Sequence, residues 1–349
     1  MLAVTFADLR YRYRQFLIAV VGAGMALAMG VLLTGLVGGF AWEINHVVNA
    51  QHADHWVLST NADGQLTAAA PFSEAAVAAI GQQPSVQHAA GIVVLPQHPL
   101  SINGKRTVVN IIGVPQQGFG SPADVSGSGL ANANDVIVDS KIHAHVGDVL
   151  SSGSTSLHVV GSVKNRTLLG GLPVVYVPIP TAQSLGLGGH PLVTGITLQG
   201  TPTSVPAGLQ LLTNAQIEKQ TLATLSGATA TIKNTRGLMW LVATIIIAAL
   251  IYVSALQRVR DFAVLKALGA SSAALGVSLC VQAIAVTLVA AAFAAVVCNF
   301  MSGLFALPVA IPSSAFITLP LVAVVVGILS SLVALRTATR ADPVAAFGG

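Results

Sequence analysis

The sequence predicts a membrane all-α unit of four transmembrane helices, with an α+β extracytoplasmic domain inserted between the first and second of them. Three observations carry this. Of the 349 residues, 54% are hydrophobic and only 8% are charged, against about 25% charged in a soluble globular chain. Uncharged runs occupy 16–40, 237–256 and 267–335, and about 20 apolar helical residues suffice to cross a hydrocarbon core about 30 Å thick. Between the first two runs the composition shifts to Ser, Thr, Asn, Gln, Gly and Pro with short β-rich stretches, as in a separately folded polar domain.

The first span is placed at 16–40. Its 25 residues exceed the 7–15 of a signal-peptide apolar region, so it reads as an uncleaved anchor. The second span is placed at 237–256. The third run is too long for one helix, and Pro308 and Pro312 interrupt it. It therefore divides into spans at 272–301 and 316–335, joined by an external loop at 302–315. Arg10, Arg12 and Arg14 precede the first span, Arg258, Arg260 and Lys266 fill the link after the second, and Arg336 and Arg340 follow the fourth. Basic flanks favour the cytoplasm, so both termini are placed there, with 41–236 outside the cell membrane and 336–349 as a cytoplasmic tail. Within 1–15, Leu2, Phe6, Leu9, Tyr13 and Phe16 recur at helical spacing. That stripe suits a cytoplasmic interfacial helix, or else a frayed start to the first span.

The net charge of +4 lies in short clusters at the span ends, and no basic groove interleaved with aromatics accompanies it. A nucleic-acid partner is therefore not expected, whereas membrane lipid is. No charged or histidine side chain lies within a predicted span, which disfavours an ion-driven carrier. Gly22, Ala26 and Gly30 recur every four positions, as do Gly35 and Gly39. Such spacing lets helix backbones approach, within the chain or across a dimer seam in the first span.

In the outer segment, strands are predicted at 55–59, 108–114, 135–139, 157–163, 174–178 and 193–198. Short helices are expected from Ser73 as N-cap to Gly81, and from Ser140 to Gly147. The joins at 41–53 and 214–236 read as helical stalk ends. All nine histidines fall in this segment. His143 and His145 are two apart, and His52 and His55 three apart. Neither pair has the spacing or carboxylate company of a metal site, so surface and turn histidines are expected and no metal. No GxSxG elbow or acid–base pair is present, and no catalytic residue is assigned. Cys280 and Cys298 lie in an uncharged stretch, so the outer domain folds without disulfides.

The link Arg258-Val-Arg-Asp-Phe-Ala-Val-Leu-Lys-Ala-Leu-Gly-Ala-Ser271 resembles the coupling segment of FtsX/MacB-type ABC transporter permeases, with Asp261 where the family often has Glu. The tail Arg340-Ala-Asp-Pro-Val-Ala-Ala-Phe347 is similar to the family's Arg-x-x-Pro-x-x-Ala-Leu ending. Asp135-Val-Ile-Val-Asp139, Gly147-Asp-Val-Leu150, Leu157-His-Val-Val-Gly161 and Val175-Tyr-Val-Pro178 resemble its outer-domain stretches. The order of one span, outer domain and three spans matches as well.

The resemblance implies a non-catalytic permease subunit, a separate cytoplasmic ABC ATPase, and a 2+2 assembly around a permease homodimer. An extracytoplasmic partner protein is a further expectation. No GxxxxGK[ST] loop occurs in the chain, so no cofactor is expected on it, and ATP with Mg²⁺ would sit on the partner. Within the coupling segment, 257–271, Phe262, Leu265 and Leu268 can enter a groove on that ATPase. Arg258, Arg260, Asp261 and Lys266 can set orientation, and Gly269 allows a tight turn into the third span. The expected activity is MacB-like export or mechanotransmission. Alternatives are an importer permease, perhaps for amino acids in view of Ala267-Leu-Gly-Ala270, an FtsX-like regulator of a cell-wall hydrolase, and an anchored sensor without an ATPase.

Overall fold

The computed structural model describes residues 13–68, 70–102, 104–257, 264, 269, 271–302, 309–311, 314, 317–318 and 320–329. The chain divides into two compact units, Gly39–Gly227 and Met1–Gly38 with Ala228–Gly349.

The outer unit receives the end of α1 (Tyr13–Asn49) and continues through β1 (His55–Ser59), β2 (Phe72–Ser73), α2 (Ala75–Gly81), β3 (Val86–Ile102) and β4 (Lys105–Val114). Then follow β5 (Ser126–Gly127), β6 (Asp135–Asp139), β7 (Val149–Ser152), β8 (Thr155–Val163), β9 (Thr167–Leu168) and β10 (Leu172–Pro178). The unit closes with α3 (Ile179–Gly186), β11 (Leu192–Val193), β12 (Gly195–Gly200), β13 (Leu209–Thr213) and α4 (Asn214–Thr224). One mixed sheet runs β13-β1-β12-β3-β4-β10-β6-β8-β5, with β7 and β9 attached, while β2 and β11 pair separately. The pairs β4–β10 and β6–β8 are parallel.

Side chains two apart along a strand share a face, and the two faces of this sheet build two cores. Val109, Ile111, Val136, Val138, Val175 and Val177 face one, with Ile80 of α2 and Ala182 of α3. Ile112, Val114, Ile137, Val174 and Tyr176 face the other, where Ile44, Val47 and Val48 of α1 and Ile217 of α4 cover them. The central strands are therefore continuous apolar runs, as expected of a sheet buried on both sides.

The structure corrects several local expectations. The 17-residue strand β3 was hidden by Pro96, Pro99 and intervening polar residues. It is accommodated by a bulge between Leu95 and His98, where the register with β4 shifts and Gln97 takes φ +52°. The stretch predicted as a strand at 193–198 belongs to two sheets. Thr194 divides it, accepting the Val94 amide with Oγ1 at 2.8 Å. The helix expected from Ser140 is a single 3₁₀ turn, Ser140–Ile142, ended by His143 in the left-handed region. Asp139 closes that turn by accepting from Lys141 N, which satisfies the local amides without a longer helix. The helix expected to cap on Ser73 begins one residue later, with Glu74 as N-cap, because Ser73 is held in β2 against Leu192.

The paired aspartates of the 135–139 stretch have structural partners. Asp135 accepts from Ala131 N at 2.8 Å and Asn132 N at 2.7 Å. Burial alone pushes its carboxyl up, but these amides, the Asn132 side chain and the nearby His158 bring it below the usual value.

The second unit is helical: α1, α5 (Ser226–Gln257), α6 (Ser272–Met301) and α7 (Pro320–Leu329). Among the described residues three helices are long and apolar enough to cross a membrane, Phe16–Asn49, Ser226–Gln257 and Gly276–Met301. The fourth predicted span is described only at 317–318 and over α7, and the interfacial segment before residue 13 lies outside the described residues. Small residues set the packing. A Cβ at Gly24 would lie 2.6 Å from Phe293 Cδ1 and 3.0 Å from the Ala290 carbonyl. One at Gly327 would lie 2.9 Å from the Ile284 Cα. Polar side chains join helices too: Gln282 Nε2 donates to Ser254 Oγ at 3.4 Å, and Cys298 Sγ to the Ala28 carbonyl at 3.2 Å.

Candidate functional site

The last turns of α1 are built into the outer unit, and this is where its polar chemistry concentrates. At 1.5 Å per residue, the 34-residue apolar helix is about 51 Å long, well beyond a hydrocarbon core of about 30 Å. Ile44, Val47 and Val48 lie in the domain core, so this end of α1 is domain rather than membrane span.

Glu43, only 1% exposed, anchors it. Its Oε1 accepts from Thr167 Oγ1 at 2.6 Å and its Oε2 from Gly170 N at 3.1 Å, with Gly171 N a further donor. Leu169, Gly170 and Gly171 take φ of +57°, +87° and +92°. Three consecutive left-handed residues turn their amides inward and make a backbone nest that fits an anion; glycine makes this cheap at 170 and 171. Burial pushes the Glu43 carboxyl up, and the bonds from Thr167, Gly170 and Gly171, with the Lys141 charge, only partly offset it.

The same end of α1 is tied to α4. Asn45 Nδ2 donates to Glu218 Oε2 at 3.1 Å, and Asn214 Nδ2 donates to Asn49 Oδ1 at 3.3 Å and to the Ala53 carbonyl at 2.9 Å. Asn214 Oδ1 in turn accepts the buried Trp56 indole N–H at 2.9 Å. A capping box between Thr213 and Gln216 starts α4. Leu225 alone separates α4 from α5. The two chain segments that join the outer unit to the predicted spans are thus locked together at their outer ends by neutral and charge-assisted hydrogen bonds. Among the described residues no group of three or more His, Cys, Asp and Glu side chains could hold a metal ion.

Of the predicted coupling residues, Arg258, Arg260, Asp261, Phe262, Leu265, Lys266 and Leu268 lie outside the described residues. Gly269 is an exposed turn residue at φ +95°. Two residues on, Ser271 Oγ accepts from Ala274 N at 3.2 Å and caps α6, so Gly269 is a turn residue and Ser271 a helix start.

The glycine pattern of the first span meets the chain's own side chains. A Cβ at Gly22 would have 3.8 Å to Ile246, ordinary contact, whereas at Gly30 it would come within 2.6 Å of Trp240 Nε1. Gly35 and Gly38 face Val309 and Ala310, and Ala310 N donates to the Gly35 carbonyl at 3.1 Å. Ala26 and Gly39 are buried. Gly24, Gly38 and Gly327, which make closer approaches than Gly22, were missed because a four-residue period does not pass through the first two. Glu43 was missed as well; an isolated carboxylate three residues past an apolar run, amid Ile44, Val47 and Val48, was its signal.

The FtsX-like permease C-terminal family matches residues 237–343. Two Mycobacterium tuberculosis proteins, each an uncharacterized ABC transporter permease, are 33% and 32% identical to the chain over all 349 residues, covering each pair of chains completely. Among solved structures, the periplasmic region of MacB from Actinobacillus actinomycetemcomitans aligns at 14% identity and TM-score 0.37, over 50% of this chain and 96% of that one. The extracellular domain of the noncanonic ABC-type transporter YknZ from Gram-positive bacteria aligns at 14% identity and TM-score 0.34, over 45% and 98%. With full-length relatives above 30% identity, this chain is a membrane protein of the FtsX-like ABC transporter permease family.

Proposed function

We propose that the chain is the non-catalytic permease subunit of a 2+2 ABC assembly, passing motion from ATP hydrolysis on a separate ATPase to its outer domain. The observation that carries this is the outer end of α1. With Glu43 in the 169–171 nest and Ile44, Val47 and Val48 in the core, any displacement of that end must carry the domain with it. A hinge or rocking movement of packed elements then requires no channel through the spans. The ATPase would grip the 257–271 link, Phe262, Leu265 and Leu268 entering its groove. ATP and Mg²⁺ belong to that partner, and no cofactor is assigned to this chain. The test is purification of the full chain with its ATPase. Asp261→Arg combined with Leu265→Asp should abolish co-purification or reduce permease-dependent ATPase activity at least tenfold. Equal hydrolysis by the doubly substituted complex would refute the coupling role.

The same reading has four spans with both termini cytoplasmic and 41–236 outside. In a background with Cys280 and Cys298 replaced, Ser126→Cys should react with an impermeant thiol reagent from outside intact cells, and Gln257→Cys only after the membrane is opened. Reaction of both from the same side would overturn the topology.

A further inference from the structure

The outer unit has an open cleft of about 450 Å³, lined mainly by His46, Asp124, Ser126, Ser162, Lys164 and Arg166. That is within the size range of sites for small organic ligands. Two kinds of group meet in it. Lys164 and Arg166 bring positive charge, the elements of a site for phosphate. Asp124, exposed and the one carboxylate among the lining residues, would repel a bare anion. An ionised carboxylate accepts hydrogen bonds and donates none, so its natural partner on a small ligand is a hydroxyl group. Ser126 and Ser162 can donate or accept, and Asn165, also in the lining, has an amide with both capacities.

Two of these residues are held in place from behind. Arg166 donates from its side chain to the buried Tyr176 hydroxyl, which burial pushes up to about 12 and so keeps protonated. Its amide donates to Asp139 Oδ2 at 2.7 Å. His46 Nδ1 donates to the Trp42 carbonyl at 3.0 Å, and its ring stacks on the Trp42 indole with centroids 3.7 Å apart. Its other ring nitrogen, Nε2, remains for a ligand. We propose that this cleft binds a phosphorylated polyol of sugar-phosphate size, Lys164 and Arg166 taking the phosphate while Asp124 and Asn165 take hydroxyl groups. Every residue of the site belongs to the Gly39–Gly227 unit, and the assignment is independent of any ATPase coupling.

The test is calorimetric titration of the full chain, in a polyoxyethylene detergent that carries no sugar, with glucose 6-phosphate, glucose and inorganic phosphate. Glucose 6-phosphate should bind at least about tenfold more tightly than either fragment, since it makes both sets of bonds at once. Lys164→Glu should weaken it about tenfold or more, while Lys105→Glu, the same charge change at the start of β4, should leave it within about twofold. Asp124→Asn separates the two roles. It should weaken glucose 6-phosphate severalfold but not inorganic phosphate, which loses a repelling charge. Lys105, Asp124 and Lys164 are all exposed, and unchanged melting temperatures confirm that the variants are folded. Inorganic phosphate binding as tightly as glucose 6-phosphate, or Asp124→Asn strengthening both ligands, would overturn the sugar-phosphate assignment. Absence of binding at millimolar glucose 6-phosphate, or equal weakening by the two lysine substitutions, would overturn the site itself.

Discussion

Glu43→Ala should destabilise the outer unit by about 2–4 kcal/mol at neutral pH. Two effects oppose each other here. Removing a buried carboxylate relieves its desolvation, which is the larger cause of its raised pKa. It also strips the Thr167 hydroxyl and the Gly170 and Gly171 amides of their acceptor inside the protein, at about 1–3 kcal/mol for each orphaned donor, and leaves a void. The second effect should win, because three donors are orphaned for one acid removed. Glu43→Gln keeps an acceptor without the charge and should lie within about 1 kcal/mol of the parent.

The same pair of proteins gives the pH dependence. The folded pKa of Glu43 lies above its ordinary 4.5, so the native domain holds this proton more tightly than the unfolded chain does. The resulting stability is present in full below pH 4.5 and is lost as pH rises through the raised folded value. Relative to Glu43→Gln, the parent should therefore lose stability as pH rises from 4.5 through the raised folded value. Hydrogen exchange at 165–178 in the full chain measures both effects. Protection in this segment that is unchanged by Glu43→Ala would remove Glu43 as the anchor of α1.

Gly24→Leu should cost the membrane unit about 3 kcal/mol or prevent its assembly. Even the first carbon of the side chain would be 2.6 Å from Phe293 and 3.0 Å from a backbone carbonyl of α6, and overpacking against a fixed backbone typically costs 1–3 kcal/mol. Gly327→Ala meets the Ile284 backbone at 2.9 Å and should cost about 1–3 kcal/mol. Gly22→Ala, with 3.8 Å to Ile246, should change stability by less than about 0.5 kcal/mol. Thermal aggregation of the three variants in detergent ranks them. Should Gly22→Ala prove as damaging as Gly24→Leu, Gly24 does not pack against Phe293 and Ala290 as its geometry requires. The first-span pattern allowed packing within the chain or across a dimer seam, and Gly24 and Gly30 are covered by Phe293 and Trp240 of the same chain.

The parts of the architecture set by one-dimensional chemistry were legible in the sequence. Length and polarity against the thickness of a bilayer pointed to long apolar helices, and among the described residues three are long and apolar enough to cross it. Alternation and β-branching located β1 and β6 to the residue, since both strands need only local pattern to be recognised. The family followed from short motifs whose physical roles are now partly visible. Gly269 makes a left-handed turn, Ser271 caps a helix, and Asp135 and Asp139 tie down the two ends of a buried strand.

What the sequence by itself determined, then, is that this is an apolar helical unit interrupted by a mixed α+β domain, because burial preference, periodicity and capping act on neighbours in the chain. Tertiary structure alone decided that β3 runs through two prolines, that the 193–198 stretch serves two sheets, and that Glu43 lies in a nest 127 residues away. It likewise decided that Gly24 rather than Gly22 sets a helix contact. These outcomes depend on which atoms meet across long stretches of chain, where hydrogen-bond satisfaction and van der Waals exclusion override local propensity.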